Sequence, residues 1–107
     1  MKRDRRRIYQ GLAHRLQDID PRVTPTTADG IRGLAIRGSL FAGFDPGDGS
    51  LMVRLPERRI SLLVEAGVGH QIEDAGRARG GWVGIDDPER WDGFAVEALS
   101  FVARDAA

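Results

Sequence analysis

Between residues 31 and 85 short apolar runs alternate with glycine-rich turns, broken once by a helix-length stretch, and both ends of the chain carry apolar residues at helical spacing. Ile8, Leu12, Leu16 and Ile19 recur at steps of four and three, which puts them on one stripe with Tyr9 and Ala13 at its edge and predicts a helix over residues 4–18. Asp4 suits the start of that helix, whereas Arg5, Arg6 and Arg7 sit at the positive end of its dipole, a mismatch of only ~0.3–1 kcal/mol. Asp20-Pro21 ends it, because the residue before proline is pushed toward extended backbone.

Residues 23–27 are rich in β-branched side chains but contain Pro25, so they predict an edge strand or an irregular extended arm. Residues 33–36 and 39–44 read as strands joined by a tight turn at Arg37-Gly38. After the turn Asp45-Pro46-Gly47-Asp48-Gly49, residues 51–55 alternate, with Leu51, Val53 and Leu55 on one side and Met52 and Arg54 on the other. Pro56 and Glu57 fit the first turn of a second helix whose buried face is Ile60, Leu63 and Val64 and whose close is Gly67 and Gly69. Residues 70–73 predict a strand, 76–81 a loop and 82–85 a short apolar strand. Asp87-Pro88-Glu89 then opens a third helix, in which Trp91, Phe94, Ala95, Ala98, Leu99 and Val102 draw an uninterrupted stripe. The pattern predicts one α+β domain over residues 1–107, flexible at 1–4. Its small, mainly antiparallel sheet has about five strands, framed by N-terminal, internal and C-terminal helices in the order αβββ(β)αββα.

Composition adds exclusions. A chain of 107 residues with 41% hydrophobic and 30% charged side chains can bury a core without metal or disulfide support. Zero cysteines exclude thiolate catalysis and cysteine-bound zinc and suit a reducing cytoplasm. No apolar run approaches the about 20 residues of a membrane span, so no membrane partner is expected. Net charge is zero, yet residues 1–59 hold 12 Lys+Arg against 7 Asp+Glu and residues 60–107 hold 4 against 9. An asymmetry of that kind suits an anion-binding face or head-to-tail self-association.

The element order, with Phe41-Ala42 in a hairpin, the 51–55 strand leading into a helix and Gly81-Trp82-Val83 ahead of a C-terminal helix, resembles the MmcQ/YjbR-like proteins and the related TfoX N-terminal domains. Those families often place a basic residue before the Phe-Ala pair, where this chain has Ser39 and Leu40. The resemblance implies a bacterial α+β domain, compared by fold with double-wing DNA-binding proteins and of largely unassigned role; it does not imply an enzyme.

Two basic clusters are candidates for nucleic-acid contact. Arg5 and Arg6, with Lys2, Arg3 and Arg7, could neutralise phosphates, the plain alternative being a solvated helix start. Arg77 and Arg79 lie in the glycine-rich 76–81 stretch, shaped like a wing entering a groove or, more simply, a mobile hairpin with exposed arginines. Arg58, Arg59 and Leu62 point away from the second helix's stripe and form a candidate protein contact or homodimer patch, although a single exposed leucine is ordinary. Trp82 and Trp91 read as core. His14 and His70 lack the converging partners of a metal site, Asp45 and Asp48 read as turn formers and Asp86 and Asp87 as a helix cap. No cofactor and no catalytic group is expected. The reading is a non-catalytic binding module for nucleic acid or, alternatively, a protein-interaction adaptor.

Overall fold

The computed structural model describes the backbone of residues 2–28, 30–74 and 77–105, and the side chains of all of these except Lys2, Arg3, Asp74, Arg77 and Ala78. Helix α1 (Lys2–Ile19) leads into strands β1 (Val23–Ala28), β2 (Ile31–Ile36), β3 (Ser39–Phe44) and β4 (Leu51–Arg54). Helix α2 (Glu57–Glu65), strands β5 (Gly69–Asp74) and β6 (Arg77–Ile85), a 3₁₀ turn (Pro88–Arg90) and helix α3 (Trp91–Asp105) follow. The architecture is α+β, with one antiparallel sheet in the order β1-β2-β3-β4-β6-β5. The sheet has six strands where about five were expected, because residues 23–28 pair along their whole length with β2 despite Pro25, which an edge strand tolerates.

Turn chemistry pins the register. Arg37 and Gly38 both adopt left-handed backbone (φ 52° and 81°), forming a two-residue hairpin between paired Ile36 and Ser39. In the next turn the Asp45 carboxylate accepts from the Gly47 N–H at 2.8 Å and the Asp48 carboxylate from the Ser50 N–H at 2.9 Å.

Two irregularities bend the sheet. Between the pairs Leu34–Ala42 and Ala35–Leu40, Phe41 is an extra residue on β3, so Phe41 and Ala42 both enter the helix-facing core. Here Gly33 lies so near the facing strand that an added Cβ would run into the Ala42 carbonyl oxygen. In β6, residues 79–82 face the single residue Ile72. The predicted loop over 76–81 is therefore corrected: from Arg77 onward the segment is strand, with the excess length taken up in a bulge at Gly81 (φ 83°). That bulge is fastened on both sides. The Gly81 N–H donates to Glu57 Oε1 at 2.5 Å, and its carbonyl accepts from the Leu55 N–H at 3.2 Å.

Strand alternation gives the sheet two faces. Val53 pairs with Ala42 and Val83 on the face that all three helices cover; its core includes Leu12, Leu34, Leu63, Trp91 and Leu99. Met52, opposite Gly43 and Gly84, points the other way, where Ile31, Leu40, Ile72 and Trp82 join it in a second cluster built only from strand residues. Trp82 there is only 8% exposed. Since Ile31 of β2 and Ile72 of β5 belong to one cluster and line one cavity although β3, β4 and β6 lie between them, the sheet curls over its own uncovered face. The two bulges supply that curvature.

The helices confirm the patterning with one rotation. Leu12 and Leu16 are buried, but Ile8 is 40% and Ile19 67% exposed. The face of α1 toward the sheet therefore runs through Arg5, Tyr9, Leu12 and Leu16, again at steps of four and three but starting three residues earlier. Pro56 stands as the residue before α2 (φ −59°, ψ 146°) rather than as its first turn, and Gly67 closes that helix with left-handed backbone. Asp87 caps the 3₁₀ turn through the Glu89 N–H at 3.0 Å, and α3 buries Trp91, Ala95, Ala98, Leu99 and Val102. Among the described residues no helix is long and apolar enough to cross a membrane.

Candidate functional site

The basic residues singled out in the sequence have different structural fates. Arg5 is not available to a phosphate: its Nη1 donates to the Gly49 carbonyl at 3.2 Å and the Asp86 carbonyl at 2.6 Å, tying α1 to the β3–β4 turn and to the end of β6. Arg6, one residue on, faces outward with its guanidinium 5.7 Å from the centre of the Phe44 ring, a cation–π contact. Arg79 is half-buried in the β6 bulge rather than displayed on a loop, and the side chain of Arg77 lies outside the described residues, as do those of Lys2 and Arg3.

The patch on α2 also divides. Arg59 is held by Glu97 of α3 in a two-point ion pair of 2.8 and 3.1 Å and lies 5.8 Å from the Phe94 ring, so it joins α2 to α3. Arg58 is exposed, and Leu62 is 54% exposed between the buried Ile60 and Leu63.

At the end of the sheet where β2 starts and β3 finishes, α1 does not fully cover the strands. A cavity of about 330 Å³ opens there. Ala13, Pro25, Leu34, Phe44 and Pro46 make its apolar wall, and Arg6, Arg32, Tyr9 and Gln10 bring the polar groups. Tyr9 stacks obliquely on Phe44 (5.6 Å between centroids, 37°), and Phe44 meets the edge of Trp91 at 6.3 Å, which anchors this wall to the core. No carboxylate lines it. A second cavity of about 320 Å³ lies beside it on the curled face and shares Arg32, Phe44 and Pro46 with the first; Ile31, Met52, Ile72 and Arg79 also line it, as do Asp45 and Glu73. Arg32 is thus the link between Arg6 and Arg79. No sequence signal marks it, since a lone arginine in an apolar strand is ordinary and its position depends on where the sheet curls.

Burial pushes the phenol of Tyr9 up to about 12. Because this is the chain's only tyrosine, its ultraviolet phenolate absorbance titrates one group. The midpoint is expected near pH 12 in folded protein against about 10 in urea. A raised folded value means that the contribution to stability is complete below pH 10 and is lost as pH climbs through 12. A midpoint near 10 while circular dichroism remains native would show that the phenol is solvated.

On the opposite side of the β3–β4 turn a second polar group forms, also invisible in the sequence. His70 of β5 lies over Gly84, with Nε2 3.2 Å from Asp48 Oδ2 and Nδ1 3.2 Å from Asp86 Oδ2. Partial burial raises the Asp48 carboxyl, but hydrogen bonds from Ser50 and the nearby His70 outweigh it and hold it below the usual carboxylate range. The three residues are 22 and 16 positions apart in sequence, so only strand pairing could bring them together. Among the described residues no group of three or more acids, histidines or cysteines is placed to hold a metal ion. No family model, curated protein or solved structure matches the chain.

Proposed function

We propose that the protein is a non-catalytic binding module that takes nucleic acid across the end of the sheet bordered by Arg6, Arg32 and Arg79. The observation carrying this reading is that the two cavities share a wall, so that one track leads from the start of α1 to the β6 bulge with Arg32 at its centre. Guanidinium groups pair with phosphate at two points, and released counterions drive such binding. Asp45 and Glu73 beside Arg79 leave the positive excess on the Arg6 side, and the chain as a whole is neutral, which favours modest affinity with a measurable but limited salt dependence. The absence of carboxylate and imidazole from the wall of the first cavity supports binding over proton-transfer chemistry. The element order favours kinship with the MmcQ/YjbR-like and TfoX-like domains, and with it a bacterial, cytoplasmic protein.

Fluorescence anisotropy with a labelled single-stranded oligonucleotide tests it. Three neutralised phosphates predict affinity falling roughly 20-fold between about 50 and 200 mM salt, and the double substitution R32E/R79E abolishing binding at the lower salt. No binding at low salt, or a flat salt response, removes the reading. The adaptor alternative rests on Leu62 beside Arg58, and a mass that rises with protein concentration and returns to monomer in Leu62→Glu would favour it instead.

A further inference from the structure

We infer that the cavity between α1 and the β2–β3 end of the sheet is a binding site for a small amphipathic carboxylate, its head held by Arg6 and Arg32 and its apolar body lying along Ala13, Leu34 and Phe44. This goes beyond the nucleic-acid reading, since it requires no polymer and uses the interior of the cavity rather than the track along its rim.

The composition of the wall carries the inference. A volume of about 330 Å³ lies at the small end of the range typical of ligand sites, about 300–1,000 Å³. The wall is mostly apolar, so a compact inorganic anion would leave most of it without partner atoms, and a neutral hydrocarbon would leave two guanidinium groups without a counter-charge. A molecule with one anionic end and a body of roughly eight to ten carbons satisfies both parts. Among the described residues neither Arg6 nor Arg32 has an ion-pair partner, in contrast to Arg15, Arg22 and Arg59, each of which has a carboxylate within 3 Å. The planar fork of arginine matches a carboxylate at two points. Tyr9 and Gln10, one turn along α1 from Arg6, add a hydroxyl and an amide at the same wall. The wall is also prebuilt: Phe44 is braced by Tyr9 and Trp91, and Leu34 belongs to the main core, so little ordering accompanies binding.

Octanoate is the probe and 1-octanol its neutral counterpart, followed by amide chemical shifts of isotopically labelled protein. Octanoate is expected to shift Gln10, Ala13, Gly33 and Leu34 with a dissociation constant below about 1 mM, and octanol to bind at least tenfold more weakly. R32Q, a change at an exposed side chain, should weaken octanoate tenfold or more and leave octanol unchanged. Ala13→Leu, which fills the cavity without touching either arginine, should remove octanoate binding while the oligonucleotide still binds. Shifts confined to other residues, equal binding of acid and alcohol, or no shift at about 5 mM would overturn the inference. Loss of oligonucleotide binding with octanoate binding intact would instead remove the nucleic-acid reading and leave this one standing.

Discussion

Replacing Trp91 by alanine is expected to lower the unfolding free energy by roughly 3–5 kcal/mol, the largest loss from any single side chain in this protein. The ring is fully buried at the start of α3 and meets Phe44 edge-on. Its Nε1 donates to the Ile85 carbonyl at 2.8 Å, so the same residue fills the core and ties α3 to the end of β6. Truncation removes the contact area, opens a void that the surrounding helices and strands cannot close, and deletes the hydrogen bond to the Ile85 carbonyl. Domains of this size are stable by about 5–15 kcal/mol, so the variant should melt far lower or populate unfolded chain at room temperature. Trp91→Phe separates the contributions: it restores most of the packing but removes the hydrogen bond to the Ile85 carbonyl, for an intermediate loss of about 1–3 kcal/mol. Urea titration measures both. A change below about 1 kcal/mol for Trp91→Ala would mean that α3 does not dock through this ring.

Gly33→Ala should be nearly as damaging, at roughly 2–3 kcal/mol, although it adds one methyl group. The new Cβ would meet the Ala42 carbonyl oxygen across the β2–β3 pair, and Gly43 Cα lies 3.0 Å from the same point. Backbone of a paired strand cannot swing aside as a side chain does, so β2 must separate from β3 or lose the Phe41 bulge. Either response shifts Phe41 and Ala42 out of the core. Gly93 is the control, since nothing lies within 4 Å of an added Cβ there and the residue sits inside α3. Gly93→Ala should therefore stabilise by about 0.5–1 kcal/mol through helix propensity alone. Equal effects at the two glycines would show that the close approach at Gly33 is absent in solution.

Much of the architecture was legible along the chain because it follows from near-neighbour chemistry. The α3 stripe, the Asp87 cap, the Arg37-Gly38 hairpin and the aspartate turn at residues 45–49 each depend on residues within four positions of one another. Two misreadings have one cause. The apolar character of Ile8 predicts a place on the buried stripe, but the sheet end beneath α1 offers backbone carbonyls to Arg5, and the helix is turned so that Arg5 and Tyr9 face inward. Residues 76–81 looked like a loop because of their glycines, yet β5 supplies pairing partners to Arg77 and Ala78, and the glycine at 81 absorbs a bulge instead of ending the strand. In each case a tertiary hydrogen-bonding opportunity outweighed local composition.

The candidate site was legible only in fragments. Arg5, Arg6, Arg59 and Arg79 all stand out by charge, but nothing in the sequence marks that Arg5 is engaged with Gly49 and Asp86 and Arg59 with Glu97. Arg32, Tyr9 and Phe44, which define the cavity, and the Asp48–His70–Asp86 group had no signature at all. By itself the sequence determined the α+β class, most of the helix and strand segments, and that cationic charge gathers in the first half. These are matters of periodicity and composition, which act over a turn of helix or a pair of residues in a strand. Only the tertiary structure decided which cations remain open to a ligand and where a cavity forms, because both depend on how far a six-stranded sheet curls, and that curl is set by two bulges whose partners are distant in the chain.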